Sequence, residues 1–268
     1  MSSNRPTILS LSQLSMGQDW RLTLPHDRPD HLLIWVTRGQ GRVLMDGQRR
    51  GVGTHNALVI PANHFFALEL GRQAIGQVVR IPGETDLTMP QIPRLLRIRD
   101  GAAMNELNAL IEAASREQAS ERPLCTQSMD AFGALIAVWI HRQLALEEHA
   151  TERRNAAARL CGAYCAHINA HFAAPMTMSD HAAALGVTPT HLSRACKAAT
   201  GKTAAELLTE RVLHEARCLL AETDVAAQDI ARHLGFGSAA YFTRFMQQHT
   251  KATPTALRKA SAALLKAA

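Results

Sequence analysis

A pattern of two helices joined by a tight turn occurs twice in the C-terminal part of this chain, and it constrains the fold more than any other feature. The first copy reads SDHAAALGVTPTHLSRACKAATGKT from Ser179 to Thr203, and the second reads AQDIARHLGFGSAAYFTRFMQQHTKATP from Ala227 to Pro254. A Leu-Gly pair recurs 49 positions later, and an apolar-Ser/Thr-Arg triplet recurs 50 positions later. Matching units at a nearly constant offset indicate an internal repeat.

The residues at each turn have the chemistry that a sharp change of direction requires. Gly186 and Gly235 each follow the last apolar residue of a helix, where glycine adopts the left-handed conformation without steric cost. Thr188 and Ser238 stand where a side-chain oxygen accepts from the free amides of the next helix, and Pro189 suits its first turn. Both segments are therefore predicted to be helix-turn-helix units.

The second helix of each copy is predicted to have one buried face and one exposed face. Leu192 and Cys196 are four residues apart, as are Phe242 and Met246, so each pair shares a face that packs inward. The opposite faces are free to meet a partner, and they carry Thr190, Ser193, Arg194 and Lys197 in copy one and Ala239, Ala240, Thr243, Arg244 and Gln247 in copy two.

These residues resemble the AraC/XylS family of transcriptional regulators. The resemblance covers Ala156–Arg258 and is strongest from Ile230, where a Gly-Phe turn, a Tyr-Phe-x-Arg helix and a closing Thr-Pro precede an arginine. The chain departs from the family at Thr250-Lys251, where Phe-Gly is usual, and at Met246 and Cys196, where Phe is frequent. The resemblance implies a double helix-turn-helix domain that binds double-stranded DNA.

The resemblance also implies which side chains meet DNA. Arg194 and Arg244 can each bridge O6 and N7 of a guanine, a contact worth ~1–3 kcal/mol of base discrimination. Further base-edge contacts are expected from Thr190, Ser193, Thr243 and Gln247, and a thymine-methyl contact from Ala239 and Ala240. Phosphate contacts are assigned to Lys197, Arg258 and the helix-opening amides near Thr188 and Ser238. Copy one has the richer set of polar side chains, so sequence specificity is expected to lean on it.

The segment between the copies, Ala204–Ala221, is predicted to be one amphipathic helix. At ~1.5 Å per residue it extends about 27 Å, comparable to the ~34 Å between successive major grooves on one side of B-DNA.

The excess of basic residues lies in the half of the chain that carries the repeat: residues 1–150 hold 15 basic and 15 acidic side chains, and residues 151–268 hold 14 basic and 8 acidic ones. Solvated basic faces are common, so this surplus is weak evidence by itself.

The N-terminal part is predicted to be an antiparallel β unit. Short β-branched and aromatic runs separated by Gly or Pro begin at His31, and Asp46-Gly47 is a good hairpin turn. Ser2–Gln18 is predicted to be a loose arm or a first edge strand. The strand order over Arg21–Pro82 resembles the cupin-like barrel that precedes the DNA-binding domain in many AraC-type regulators and holds a small effector.

Candidate effector contacts in this unit are His31, Trp35, His64 and Arg80, although Trp35 also suits a core and Arg80 also suits a solvent-facing site. Some cupins are metalloenzymes that use a His-x-His pair, and no such pair occurs in the chain. Imidazoles bind zinc or iron only where several converge. No metal and no cofactor are predicted, and the five cysteines, without a Cys-x-x-Cys pair, indicate reduced thiols.

A helical pair is predicted to follow, over Ala103–Gln118 and Thr126–Glu148, with Leu107, Leu110 and Ile111 on one apolar stripe and Phe132, Leu135, Ile136, Trp139 and Ile140 on another. It resembles the dimerisation element of the family; a hairpin packed on its own barrel is the alternative. The polar segment Glu147–Asn155 is the predicted linker.

The expected fold is therefore mixed: a cupin-like β-barrel over residues 1–100, a helical dimerisation element and linker over 101–150, and an all-α DNA-binding domain over 156–260. The expected function is a cytoplasmic, homodimeric regulator, an activator that contacts RNA polymerase and is controlled by a small-molecule effector. One alternative is a regulator without an effector, and another is a metal-dependent cupin enzyme fused to a DNA-binding domain. Neither catalysis nor a membrane partner is predicted.

Overall fold

The computed structural model describes residues 5–120, 122–146 and 155–267 of the chain. It forms two compact units, one of Met1–Thr23 and Asp27–Asn155, the other of Leu24–His26 and Ala156–Ala268. The first contains antiparallel sheets and a helical pair, and the second is helical, which confirms the predicted fold class. Apart from Asn155, the predicted linker lies outside the described residues.

The strands of the first unit form two sheets. In chain order they are β1 (Thr7–Ser10), β2 (Asp30–Arg38), β3 (Gly41–Met45), β4 (Gln48–Val52), β5 (Asn56–Ile60), β6 (Phe66–Leu70), β7 (Ile75–Pro82) and β8 (Arg94–Arg97). One sheet has the order β1-β7-β2-β5-β8 and the other the order β4-β3-β6, and every pairing is antiparallel. The N-terminal arm thus includes an edge strand, β1, paired with β7.

Strand β2 divides the core of this unit because its side chains alternate between two faces. Leu32 and Ile34 belong to the apolar cluster between the two sheets. Leu33 and Trp35 belong to the cluster that the helical pair covers. All four side chains are at most 1% exposed. The space between the sheets is therefore occupied by closely packed apolar side chains.

The predicted hairpin turn is present in this unit, whereas two of its strands were not predicted. Asp46 and Gly47 both have positive φ, 52° and 70°, and join β3 to β4, which confirms the hairpin turn. Strands β4 and β8 were not predicted, because each carries two arginines that conceal the apolar alternation. The run from Asn56 to Leu70 forms two strands, β5 and β6, which lie in different sheets.

Two long helices, α3 (Gly101–Gln118) and α4 (Cys125–Leu144), cover one face of the larger sheet, and two short ones, α1 (Leu11–Ser15) and α2 (Trp20–Thr23), precede β2. Trp139 Nε1 donates to the Ala103 carbonyl at 3.1 Å and ties α4 to α3. One prediction was wrong: Leu135, placed on the α4 stripe with the buried residues, is 51% exposed. It lies just outside the arc of α4 that faces the sheet.

The second unit consists of α5 (Ala156–His171), α6 (Met178–Ala184), α7 (Pro189–Thr200), α8 (Ala204–Glu222), α9 (Ala227–His233), α10 (Ala239–Thr250) and α11 (Pro254–Ala267). Cys161, Cys165 and Cys196 are free thiols that are buried in the core of this unit. Within the described ranges, no helix combines the length and apolarity that crossing a membrane requires.

Candidate nucleic-acid interface

The turns of the two helix-turn-helix units have the same hydrogen bonds at equivalent positions. Gly186 and Gly235 have φ of +69° and +76°, which confirms their left-handed conformation. The next amide in each copy donates back to the preceding helix, Val187 to the Ala182 carbonyl at 3.1 Å and Phe236 to the Ala231 carbonyl at 2.9 Å. This bond pattern ends a helix and reverses the chain within a few residues.

The following helices begin with the predicted caps. Thr188 Oγ1 accepts from the His191 amide at 3.2 Å, and Ser238 Oγ accepts from the Tyr241 amide at 3.2 Å. Each cap satisfies one of the amides that the first turn leaves free. The remaining amides point outward along the helix axis, where a phosphate oxygen can accept from them.

The predicted faces of α7 and α10 are confirmed. Leu192, Cys196, Phe242 and Met246 are all 0% exposed. The side chains predicted to meet DNA lie on the other face. Ser193 and Thr243 are half-buried there. The exposed ones are Thr188, Thr190, Arg194, Lys197, Ser238, Ala239, Ala240, Arg244 and Gln247. Each helix thus presents an exposed arginine with a smaller exposed residue one turn before it: Thr190 before Arg194 and Ala240 before Arg244.

Two exposed residues were missing from the prediction. His191 on α7 and Tyr241 on α10 occupy equivalent positions 50 residues apart, each three residues before the exposed arginine. Tyr241 is 60% exposed, and its ring lies 5.8 Å from that of Phe236. Alignment of the two copies reveals both, because they stand at matching positions of the second helices.

Comparison with known proteins gives matches to the C-terminal unit. Residues 181–260 match a family model described as a helix-turn-helix domain. Over 74 residues, 28% of this chain, the sequence is 39% identical to the probable transcription factor PqrA of Proteus vulgaris. The C-terminal unit is an AraC-type helix-turn-helix domain. The match spans 61% of PqrA, so the chain covers less than two thirds of that relative.

Similar solved structures include ToxT from Vibrio cholerae strain SCE256 bound to an unsaturated fatty acid, which is 12% identical and aligns over 96% of this chain and 97% of that chain with a TM-score of 0.44. The C-terminal domain of AraT, a response regulator from Geobacillus stearothermophilus, is 26% identical and aligns over 41% of this chain and 88% of that chain with a TM-score of 0.37.

The spacer between the two copies of the AraC-type domain is one continuous helix, as predicted. Helix α8 has 19 residues, a length of about 28 Å at ~1.5 Å per residue. Its inner face packs against the second copy through Leu213, Ala216 and Leu220. Tyr164 on α5 donates its hydroxyl hydrogen to the Ala204 carbonyl at 2.9 Å, which anchors the first turn of α8.

Arg258, assigned to a phosphate, has an intramolecular role in the AraC-type domain. Its Nε donates to the Leu220 carbonyl at 3.4 Å, and its guanidinium also donates to the Val225 carbonyl. These bonds connect α11 to the end of α8 and the loop that follows. The structure therefore gives this arginine a stabilising function, and its phosphate contact stays a prediction.

The four candidate effector residues of the first unit do not meet in one cavity. Trp35 is 0% exposed, and its Nε1 donates to Asn108 Oδ1 of α3 at 2.8 Å. Arg80 Nε donates to Thr7 Oγ1 at 2.9 Å, and its guanidinium lies 3.8 Å from Asp30. Trp35 is thus a core residue beneath α3, which argues against effector contact, and Arg80 supports the edge strand β1.

The two candidate histidines hold the turn after β5. His31 Nδ1 accepts from the Ala62 amide at 3.1 Å, and His64 Nδ1 lies 3.0 Å from the Ala62 carbonyl oxygen. Burial lowers the pKa of His31, which keeps it neutral and able to accept. By strand alternation, His31 faces the side of Leu33 whereas Arg80, opposite Leu32, faces the other side. In the part of the chain that the structure describes, no group of three or more His, Cys, Asp or Glu side chains is placed to hold a metal ion.

Proposed function

We propose that this protein is a sequence-specific DNA-binding transcription regulator that acts in the cytoplasm. The observation that supports this function is the duplicated recognition surface: two capped helices, each with an exposed arginine at the same position, Arg194 and Arg244. Helix α8 separates the copies by about 28 Å, so the two helices suit adjacent major grooves. An arginine that bridges one guanine contributes ~1–3 kcal/mol of base discrimination.

A footprinting titration on the regions beside its own gene tests this function. Arg194→Ala is expected to weaken binding and to relax the preference at one base pair of the site. Arg244→Ala should do so at a base pair about one helical turn away. Arg116→Ala, which removes an exposed charge from α3, is the matched control and should leave the footprint unchanged. Equal weakening by Arg194→Ala on every sequence would contradict base reading.

The regulator is proposed to act as a homodimer through α4. Exposed apolar side chains remain on α4 after it packs on the sheet: Leu135 is 51% and Val138 is 45% exposed, with Ala131 and Ala134 beside them. A two-fold axis near Ala134 sets Ala131 of one copy against Val138 of the other, a small residue against a larger one. Leu135→Glu should yield monomers in sedimentation analysis, and Ala109→Glu on α3 should not.

An effector-controlled activator that contacts RNA polymerase is the finer proposal, and the ligand-bound ToxT structure fits a small-molecule effector. The filled space between the sheets favours a second candidate, a regulator with no effector inside its β unit. A thermal-shift screen with candidate metabolites separates them, since a ligand at 100 times its Kd adds about 2.7 kcal/mol of stability. Purified protein that contains no metal would argue against the alternative of a metal-dependent cupin enzyme fused to a DNA-binding domain.

A further inference from the structure

We propose that the open end of the β unit, where β3 and β5 begin and β8 ends, binds a small organic anion through Arg42 and Arg97. Both arginines line a cleft of about 710 Å³ there, together with Gly53, Asn56 and Glu69. Ligand sites for small molecules typically measure ~300–1,000 Å³. The regulatory meaning of this site rests on the proposed function, but the binding step does not.

The arginines of the cleft carry uncompensated positive charge. In the register of β3 and β6, Glu69 lies directly opposite Arg42, yet its carboxylate accepts from Arg49 on β4 at 2.7 Å. Glu69 is therefore neutralised by a residue other than Arg42. Within the described ranges, neither Arg42 nor Arg97 has an ion-pair partner, and both are exposed.

The two arginines approach the cleft from different sheets. Arg42 belongs to β3, and Arg97 is the last residue of β8, paired with Asn56. Leu95, two residues before Arg97, packs against the cluster between the sheets, so alternation directs Arg97 to the open end of that space. Val43, beside Arg42, also packs in that cluster, so Arg42 leaves β3 on the outer face of its sheet and lines the cleft from its rim.

Two further arginines lie at this end of the unit. Arg38 ends β2, and Arg72 follows β6. Their positive charge near the cleft favours an anion there.

The floor of the cleft is shaped by glycines. A Cβ at Gly41 would lie 2.1 Å from the Glu69 carbonyl oxygen, so glycine permits the close approach of β3 and β6. A Cβ at Gly53 would meet nothing within 4 Å, so its backbone stays uncovered. Asn56 Oδ1 accepts from the Gly53 amide at 3.0 Å and fixes this loop. The result is a rigid, open surface beside two guanidiniums, which bind carboxylate and phosphate oxygens through paired N–H groups.

Calorimetry and thermal shift on the purified full chain at constant ionic strength test the proposal. The probes are inorganic phosphate, succinate and benzoate, with benzamide as the neutral counterpart of benzoate. At least one anion should bind saturably while benzamide does not, which also tells a phosphate ligand from a carboxylate. Arg42→Gln and Arg97→Gln should each weaken that binding about tenfold, a loss of ~1.4 kcal/mol.

Arg38→Gln is the matched control, because it removes a charge from the same end without lining the cleft. It should leave the affinity nearly unchanged, and circular dichroism should show all variants folded. Failure of every anion to bind, or equal binding by wild type and the Arg42→Gln/Arg97→Gln double variant, would overturn the proposal. No DNA is present in this assay, so failure here leaves the footprinting test intact, and a failed footprint leaves this site intact.

Discussion

His167 Nε2 of α5 lies 3.1 Å from His181 Nδ1 of α6, so one ring nitrogen donates a hydrogen to the other. His181 is 1% exposed, and the His171 ring lies 4.7 Å from that of His167. Burial, followed by the neighbouring histidines, lowers the pKa of both hydrogen-bonded imidazoles. For His181 the adjacent Asp180 opposes the shift without cancelling it. The first helix-turn-helix unit is therefore held to α5 by a pair that is stable when neutral.

This pair predicts acid sensitivity of α6. Because the folded state favours neutral imidazoles, the unfolded chain binds more protons just below its pKa of about 6.5. The contribution to the free energy of unfolding is complete above that pH and is lost as the pH falls through the lowered pKa values. Hydrogen exchange of α6 amides, corrected for intrinsic rates, should accelerate in this window. His181→Asn should flatten the dependence, whereas His249→Asn on the exposed side of α10 should not; parallel profiles for His181→Asn and wild type would contradict this role.

The two turn glycines should differ in their tolerance of alanine. Gly186→Ala places a Cβ in open space, so its cost is the left-handed conformation, ~1–2 kcal/mol. Gly235→Ala adds a Cβ 2.9 Å from the Ala173 carbonyl oxygen and should lower the melting temperature further. Gly101→Ala, at the open start of α3, is the control and should not destabilise. Equal losses for Gly186→Ala and Gly235→Ala would show that the close approach is relieved by backbone movement.

His191 and Tyr241 are expected to contact DNA because they flank the exposed arginines on equivalent turns of α7 and α10. His191→Ala and Tyr241→Ala should each weaken operator binding in an electrophoretic shift assay without lowering the melting temperature. Loss of a phosphate contact reduces the slope of log affinity against log salt concentration, whereas loss of a base contact changes the sequence preference instead. Unchanged affinity for both variants would restrict the interface to the arginine side of each helix.

Arg258→Met should lower the free energy of unfolding by about 1 kcal/mol, because it leaves the Leu220 and Val225 carbonyls without their donor. Urea unfolding measures this loss, and Lys259→Met, at the next exposed position of α11, is the control. If Arg258→Met instead keeps its stability and weakens DNA binding with a reduced salt slope, the phosphate assignment is correct.

The recognition surface was more predictable than the β unit. The turn at Gly186, the cap at Thr188 and the buried pair Leu192 and Cys196 depend on residues within about one helical turn of each other, so their spacing carries the information. The exposed positions followed from that buried pair. His191 was missed because its side chain suits both an exposed and a packed position.

The β unit depends on pairings between distant residues. Trp35 is buried because α3 and α4 cover its face of the sheet, and Asn108, 73 positions later, accepts a hydrogen bond from its Nε1. The sequence does not show which residues of β3 and β8 line the same cleft, so Arg42 and Arg97 were not predicted as ligand contacts. Strand β8 is recognised as a strand only from its pairing with β5 in the folded chain.

Residues close together in the chain specify the doubled helix-turn-helix unit, its turns and caps, and the face that carries Arg194 and Arg244. Three other features depend on long-range contacts: Arg258 caps the end of α8, His181 pairs with His167, and Arg42 has no ion-pair partner among the described residues because Glu69 binds Arg49. Short-range hydrogen bonds and helical periodicity specify the first set. Competition among side chains far apart in sequence specifies the second, and only the folded chain resolves which partner each one takes.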